Sequence, residues 1–478
     1  MQRKQYRIDE FIGLNQSRQE NLINSCFSAD ACNMNTENGN LSVAKGYVRH
    51  IDSPVPNPHA IYRMTTFTGS DGVMQYIVAT DAAIYASRSV EWTKIYDYGI
   101  RLANPMFDFT QAKIGTTDYL IIGCGERQLI KYDGFTASLF GSDEKLSSEH
   151  VLYLDMYKGR LFSAGNTSYP NRLYWSKLPG DSRSIEDWRY DDASVNVEGG
   201  HTEIGSTSND PIVALHAMSN QLLIFKKHGL YRLIGDRPSN FTVEKVDASF
   251  DTPAHTAIIP YGDSLVFMTK DGLCSFNGIT VRQLADANYI KDILKHSFTY
   301  DSKGAYFDGK FYFSIRENDY STTNAIIEYD PLRSSYMIRR GFFVADLYSN
   351  GNALFMINNT ARYVYRFNEG DSYDGALIHA WWRTPRTDFL DKTSIKALRT
   401  IAFKGSSDTQ ARIKINVDID DHTDIYSMQL DGSSIFVKEL PVKNEGRTLS
   451  VKLYNENGGS FSIDGGMEII FEKWRRSE

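Results

Sequence analysis

Few residues in this chain have the types and spacing to do chemistry, and each set has a plainer reading beside it. Gly262-Asp263-Ser264-Leu265 spells a tetrapeptide in which one class of hydrolases carries its nucleophilic Ser, at a strand-to-helix turn near the protein's start. Here the Ser begins a strand and coincides with a turn, equivalent to Ser219–Leu222, of an internal repeat, so it reads as hairpin chemistry. Asp418, Asp420, Asp421 and Asp424 could gather around Ca²⁺, yet the stretch lacks the turn glycine and closing Glu of an EF-hand, and a solvated loop is the simpler reading. Trp381-Trp382 could stack on a sugar or a base, but in an alternating strand one ring enters the core and the other points outward. The 10 histidines show neither HExxH nor a fixed carboxylate spacing, and no GxxxxGK[ST], GxGxxG or Asp-box is present. No catalytic, cofactor-binding or metal-ligating residue is therefore assigned, no cofactor is expected, and the chain reads as a non-enzyme.

The elements that carry these residues repeat. Asn220–Leu233 (NQLLIFKKHGLYRL) and Asp263–Phe276 (DSLVFMTKDGLCSF) align without a gap at an offset of 43. In each, a polar turn opens an apolar strand, a Lys-x-Gly turn reverses the chain, and a second strand follows, with Gly229 and Gly272 placed where φ > 0 is expected. Weaker copies follow Asp71-Gly72, Thr117-Asp118, Lys158-Gly159, Asp308-Gly309 and Asn350-Gly351. A period in the forties with about four short strands per unit predicts β-propeller blades, seven in all. Neither Trp-Asp dipeptides nor a kelch pattern recurs, and a large β-sandwich is the competing architecture.

Composition agrees with an all-β fold. Of 478 residues, 41% are hydrophobic and 13% aromatic, with 29 Tyr and 26 Phe. The net charge of −7 gives no footprint for tight nucleic-acid binding. Cys26, Cys32, Cys124 and Cys274 form no CxxC pair and read as buried free thiols. No charged-then-apolar leader opens the sequence and no run of 18 apolar residues occurs, so folding in the cytoplasm and no membrane segment are expected, and the sequons at Asn15, Asn166, Asn240 and Asn358 read as chance.

Three segments follow. Residues 1–58 are rich in Asn, Ser and Asp, helical at most around Arg18–Cys32, and read as an N-terminal arm closed by Pro54, Pro56 and Pro58. Residues 59–370 hold the propeller, with an insertion over 166–205 read as a contact loop. After the NEGDSYDG linker, residues 376–478 contain seven alternating strands and read as a C-terminal β-sandwich or jelly roll.

An ordered series of short motifs resembles the tail proteins of tailed bacteriophages. It opens with Phe11-Ile12-Gly13-Leu14-Asn15, Ala31-Cys32-Asn33, Gly39-Asn40-Leu41 and Gly46-Tyr47, continues through Lys158–Phe162, Asn171–Ser176, Trp188, Leu223–Lys227 and Tyr231–Asp236, and closes with Trp382-Arg383-Thr384-Pro385 and Thr387-Asp388-Phe389. The resemblance implies a structural virion protein near the distal end of a tail, similar to the propeller-containing hub or nozzle proteins of short-tailed phages. It further implies a cyclic ring, hexameric in that family, with adaptor and fibre proteins as neighbours and DNA passing transiently through the lumen. A glycan-binding receptor module and a polysaccharide depolymerase are the alternatives from other classes.

Overall fold

The computed structural model describes residues 2–56, 60–141, 150–180, 183–189, 194–205, 210–246, 254–284, 286–298, 300–318, 320–358, 361–407, 411–430, 434–440 and 444–474. Its strands form a seven-bladed β-propeller joined to a β-sandwich. Blades 1 to 5 are consecutive four-stranded meanders over 61–97, 108–139, 153–203, 212–246 and 258–283, followed by blade 6 over 304–344 and blade 7 from 346 onward.

The expected markers all fall at the hairpin between the innermost strand of a blade and its second strand. Lys158 and Gly159 have φ of +49° and +77°, and Asp308 and Gly309 have +48° and +78°. Two successive positive φ values are the signature of the turn whose twist matches antiparallel strands. At the repeat's second turn Gly272 has φ +130°, and a Cβ there would lie 2.6 Å from the Ala287 Cβ, so both conformation and space require glycine.

Second and third strands read as continuous apolar runs because each blade is covered on both faces. Leu222, Leu223, Ile224 and Phe225 are all fully buried. Their alternation sends Leu222 and Ile224 into the layer shared with blade 3, while Leu223 and Phe225 enter the layer shared with blade 5. There Phe225 meets Phe267 edge-on at 5.6 Å. The repeat is thus one packing unit applied twice.

The N-terminal segment departs from the expected arm. Tyr47–Arg49 is the fourth strand of blade 7, pairing antiparallel with Val364–Phe367, so the start of the chain closes the ring. Gly13–Leu14 extends blade 6 from Tyr336, with Phe27–Ser28 beside it. Gln2–Ile8, Leu41–Val43 and Met34–Asn35 join one sheet of the sandwich, and Asp30–Cys32 joins the other. Around Arg18–Cys32, where a helix was the option, there is one 3₁₀ turn, Glu20–Leu22, followed by strands.

All seven strands expected after residue 376 are present. One sheet runs Ser434–Glu439, Ile395–Ser406, Ser462–Trp474, with the N-terminal strands on its far side; the other runs His422–Leu430, Ala411–Ile419, Leu449–Asn455, Trp381–Arg383, Asp30–Cys32. Trp382, Ile413, Ile415, Leu453 and Ile469 fill the space between them. That core is continuous with the core of blades 5 and 6, through Phe11, Leu14 and Ile338.

The insertion expected over 166–205 contains the third and fourth strands of blade 3, Arg172–Trp175 and Gly200–Glu203. The described part of the chain between them folds back on blades 2 and 3, burying Ile185 and Trp188. Fully buried Arg160 fixes it by donating to the carbonyls of Ser176, Asn196 and Glu198 at 2.5–2.7 Å.

Candidate functional site

Most residues of the opening motif series meet at the joint between blade 6 and the sandwich, whereas Gly46 and Tyr47 stand at blade 7. Asn33, in the left-handed region at φ +54°, donates through Nδ2 to the carbonyls of Arg340 and His379 at 3.0 and 2.8 Å, and accepts from the Arg340 N–H at 2.9 Å. One amide side chain thereby ties a blade strand to the entry of the sandwich. Phe11 lies edge-on to Trp382 at 5.4 Å. Arg383 grips Glu20 with two contacts of 2.8 Å, and Arg340 grips Glu317 at 2.6 and 2.7 Å. Beneath them Lys310 reaches Glu37 and Glu328 at 3.0 and 2.8 Å, and Arg339 pairs with Glu328 at 2.8 Å. Burial alone would raise the Glu328 carboxyl, but Arg339 and Lys310 hold it down to about 2. Breaking such a buried set from one side leaves an uncompensated charge.

Beside this clasp the N-terminal strand faces residues 387–391 across a cleft of about 790 Å³. Its floor is aromatic: Phe389 stacks on Phe471 at 4.2 Å, and Tyr6 meets Phe389 edge-on at 4.8 Å. Leu390 is 97% exposed and Leu22 63% exposed at the rim. Phe389 and Leu390 have φ of +51° and +59°. Two successive non-glycine residues in that region are strained, and strain of this kind gathers at contact sites.

The propeller axis carries the third concentration of polar groups. Three inner-strand aspartates stitch blade to blade: Asp108 accepts from the Leu154 N–H at 2.9 Å, Asp155 from Ala217 at 2.6 Å, and Asp346 from Met64 at 2.7 Å. Asp346 also pairs with Arg63 at 2.9 Å, sealing blade 7 to blade 1. His216 stands 3.8 Å from Asp155. His255 bonds the Phe107 carbonyl at 3.1 Å and lies edge-on to Tyr153 at 5.2 Å. Asp346 is fully buried, whereas Asp108, Asp155, His216 and His255 are half-buried.

Burial pushes Asp108 up to about 6, against the Leu154 N–H and Arg63. Burial, with Arg63 and Lys303 nearby, lowers His255 to about 3. The two act oppositely on stability. Asp108 binds its proton more tightly folded than unfolded, so its contribution is complete below about pH 4 and is lost as pH rises through 6. His255 binds its proton more tightly unfolded, so its contribution is complete above about 6.5 and is lost as pH falls toward 3. Thermal melts between pH 7 and 4 should therefore show a smaller fall in melting temperature for His255→Gln than for the parent, and a larger one for Asp108→Asn. Equal slopes in all three proteins would remove the axis as a titrating element.

The residues singled out for chemistry are dispersed. Ser264 opens strand Ser264–Thr269, opposite Tyr261 and next to Gly262 at φ +57°: a hairpin, not a strand-to-helix elbow. Asp420 accepts from the Arg447 and Thr448 N–H groups, Asp418 from Thr423 and Ser450, and Asp424 from Asn444, so each shapes its own turn. Among the described residues no three metal-ligating side chains converge, the four cysteines are free, and no helix is long and apolar enough to cross a membrane. Trp382 is wholly in the core, whereas Trp381 is half-buried on the outer face. This is the division between core and outer face that alternation along the strand predicts. Sequence reasoning missed Leu390 and the axial aspartates, whose significance lies in backbone geometry and in neighbours from other blades.

No protein-family model matches the chain, and no curated protein matches it in sequence. Solved structures similar to it include the WD40 domain of Neurospora crassa Pan2, at 10% identity and TM-score 0.41 over 68% of this chain and 98% of that one. The extracellular domain of a one component system from B. thetaiotaomicron is similar over 90% of this chain and 63% of that one, at 9% identity and TM-score 0.44. The AfRom2 CNH domain is similar at 9% identity and TM-score 0.40, over 67% and 97% respectively.

Proposed function

We propose that this chain is a structural ring subunit of a bacteriophage tail, a hub or nozzle component that forms part of the DNA exit channel and a docking platform for fibres, and that it is not an enzyme. The observation that carries the reading is where the opening motif residues stand. Phe11, Leu14 and Asn33 fix blade 6 to the sandwich, and Gly46 and Tyr47 close blade 7, as befits a part that transmits load. The subunits form a closed cyclic ring with heterologous contacts, six being the number the resemblance implies. The described N-terminal residues, 2–56, contribute as folded strands rather than as free chain. A lumen that is neutral or acidic suits DNA passage, because each phosphate held by Lys or Arg adds affinity through counterion release.

The cleft under Leu390 is the surface offered to the neighbouring copy. Leu390→Asp should leave the monomer's melting temperature within about 2 °C of the parent, since a fully exposed site carries little packing, while native mass spectrometry shows the ring population replaced by monomer. A ring unaffected by this change moves the interface elsewhere. A single peripheral copy in cryo-electron micrographs of virions, or a lumen lined by basic side chains, would overturn the ring-subunit reading itself.

A further inference from the structure

The outer face of the sandwich sheet built on Leu449–Asn455 gathers aromatic and basic side chains beside a cleft, in an arrangement independent of the ring reading. Trp381 and Tyr454 are direct cross-strand partners, and Lys414 is the partner of Tyr454 on its other side. In the next row Lys452 lies between Arg383 and Asn416. Trp381 and Tyr454, with Asn416, Lys452 and His379, line a cleft of about 290 Å³, room for one pyranose ring. Trp381 is pinned by donation from Nε1 to Asp30 at 2.9 Å, so its plane is set before anything binds. The Lys452 ammonium rests 4.7 Å from the Trp381 ring centre and the Lys414 ammonium 5.3 Å from that of Tyr454. Lys452 also reaches Asp30 at 3.1 Å, whereas the Lys414 ammonium is held by the Tyr454 hydroxyl with the Glu456 charge nearby. The Asn416 Oδ1 is buried without a hydrogen-bond partner, which leaves the amide nitrogen as the polar end available to the cleft.

From these features we infer a subsite for an acidic saccharide, a pyranose carrying a carboxylate. Each element answers one part of such a ligand. Fixed aromatic rings offer apolar faces to the C–H side of a sugar. Asn416 lines the cleft, and its Nδ2 can donate to a hydroxyl there. Lys414, on a flexible stem and resting on an aromatic face when no ligand is present, swings to the carboxylate. A neutral sugar offers that ammonium no charge in exchange for its contact with Tyr454, which is the basis of selectivity.

The test is titration of the full chain with oligogalacturonate, and with maltooligosaccharide of equal length as the neutral probe, followed by tryptophan fluorescence and calorimetry. Oligogalacturonate should bind with Kd in the high-micromolar to millimolar range, at least tenfold more weakly to Trp381→Phe and several-fold more weakly to Lys414→Met, with maltooligosaccharide weaker throughout. Lys414→Met alters an outer-face side chain, so its fold is secure if Trp381→Phe proves unstable. Absence of oligogalacturonate binding, binding indifferent to both substitutions, or equal binding of the neutral probe would each overturn the assignment.

Discussion

Gly46→Ala should be among the most damaging single-methyl additions in this protein. Its Cβ would lie 1.9 Å from the Ser372 carbonyl oxygen and 2.5 Å from the carbonyl carbon, both rigid backbone. The neighbouring bonds hold the two segments together: the Gly46 N–H donates to Gly370 at 2.9 Å and the Tyr47 N–H to Ser372 at 3.1 Å. Separating them by the necessary ångström or more pulls on Tyr47, which stacks on Tyr373 at 5.1 Å and starts the strand that closes blade 7. Overpacking against backbone belongs at the top of its usual range, about 3 kcal/mol or more. Gly351→Ala is the control: its φ is +85° but its Cβ would meet nothing within 4 Å, so only the left-handed backbone term of about 1 kcal/mol applies. Thermal melts and soluble yield of the two variants separate the causes. Equal losses would mean that the Ser372 contact is not what constrains Gly46.

The sequence displayed the propeller because its signals are local. A hairpin turn such as Lys158-Gly159 announces itself by residue type, and four fully buried residues in a row, Leu222–Phe225, announce a strand covered on both faces. The sandwich strands were legible for the related reason that they are long, nine residues in Ala411–Ile419 with strict alternation of burial. The N-terminal segment offered neither signal. Its strands are two or three residues long apart from Gln2–Ile8, too short for period-two alternation, and five of the seven pair with strands hundreds of residues away. Abundant Asn looked like disorder there, whereas Asn33 and Asn15 are buried and hydrogen-bonded.

The sites divide in the same way. That one of Trp381 and Trp382 faces out follows from alternation alone, and the outward one is Trp381. That Tyr454 and Lys414 stand beside it depends on the order in which strands pair, which no local pattern encodes. The axial stitch is similar: Asp108, Asp155 and Asp346 bear no fixed spacing, yet each occupies an inner strand and bonds the amide of the blade that follows.

Removal of residues 1–50 should abolish soluble expression rather than leave a folded propeller, which reverses what an arm would have predicted. The deletion strips blade 7 of its outer strand, Tyr47–Arg49, and leaves Val364–Phe367 as an unpaired edge. It also uncovers Met467–Lys473, seven residues that pair with Gln2–Ile8, and one side of Trp381–Arg383, which pairs with Asp30–Cys32. Exposed apolar edges of this kind template aggregation. Phe11, Leu14, Met34 and Leu41, each at most 1% exposed, leave the shared core with them, and Trp382 loses its edge-on partner. Burial of four such side chains contributes on the order of 6–10 kcal/mol, comparable to the whole stability of many domains. If the damage is loss of strands rather than of a translation or targeting signal, co-expression of residues 1–56 as a separate chain should restore soluble protein by strand addition. Size-exclusion chromatography and circular dichroism of the truncated chain, alone and with the fragment, measure both halves of the expectation. A soluble truncated monomer whose melting temperature matches the full chain would show that the N-terminal strands are ornament and that the propeller closes without them.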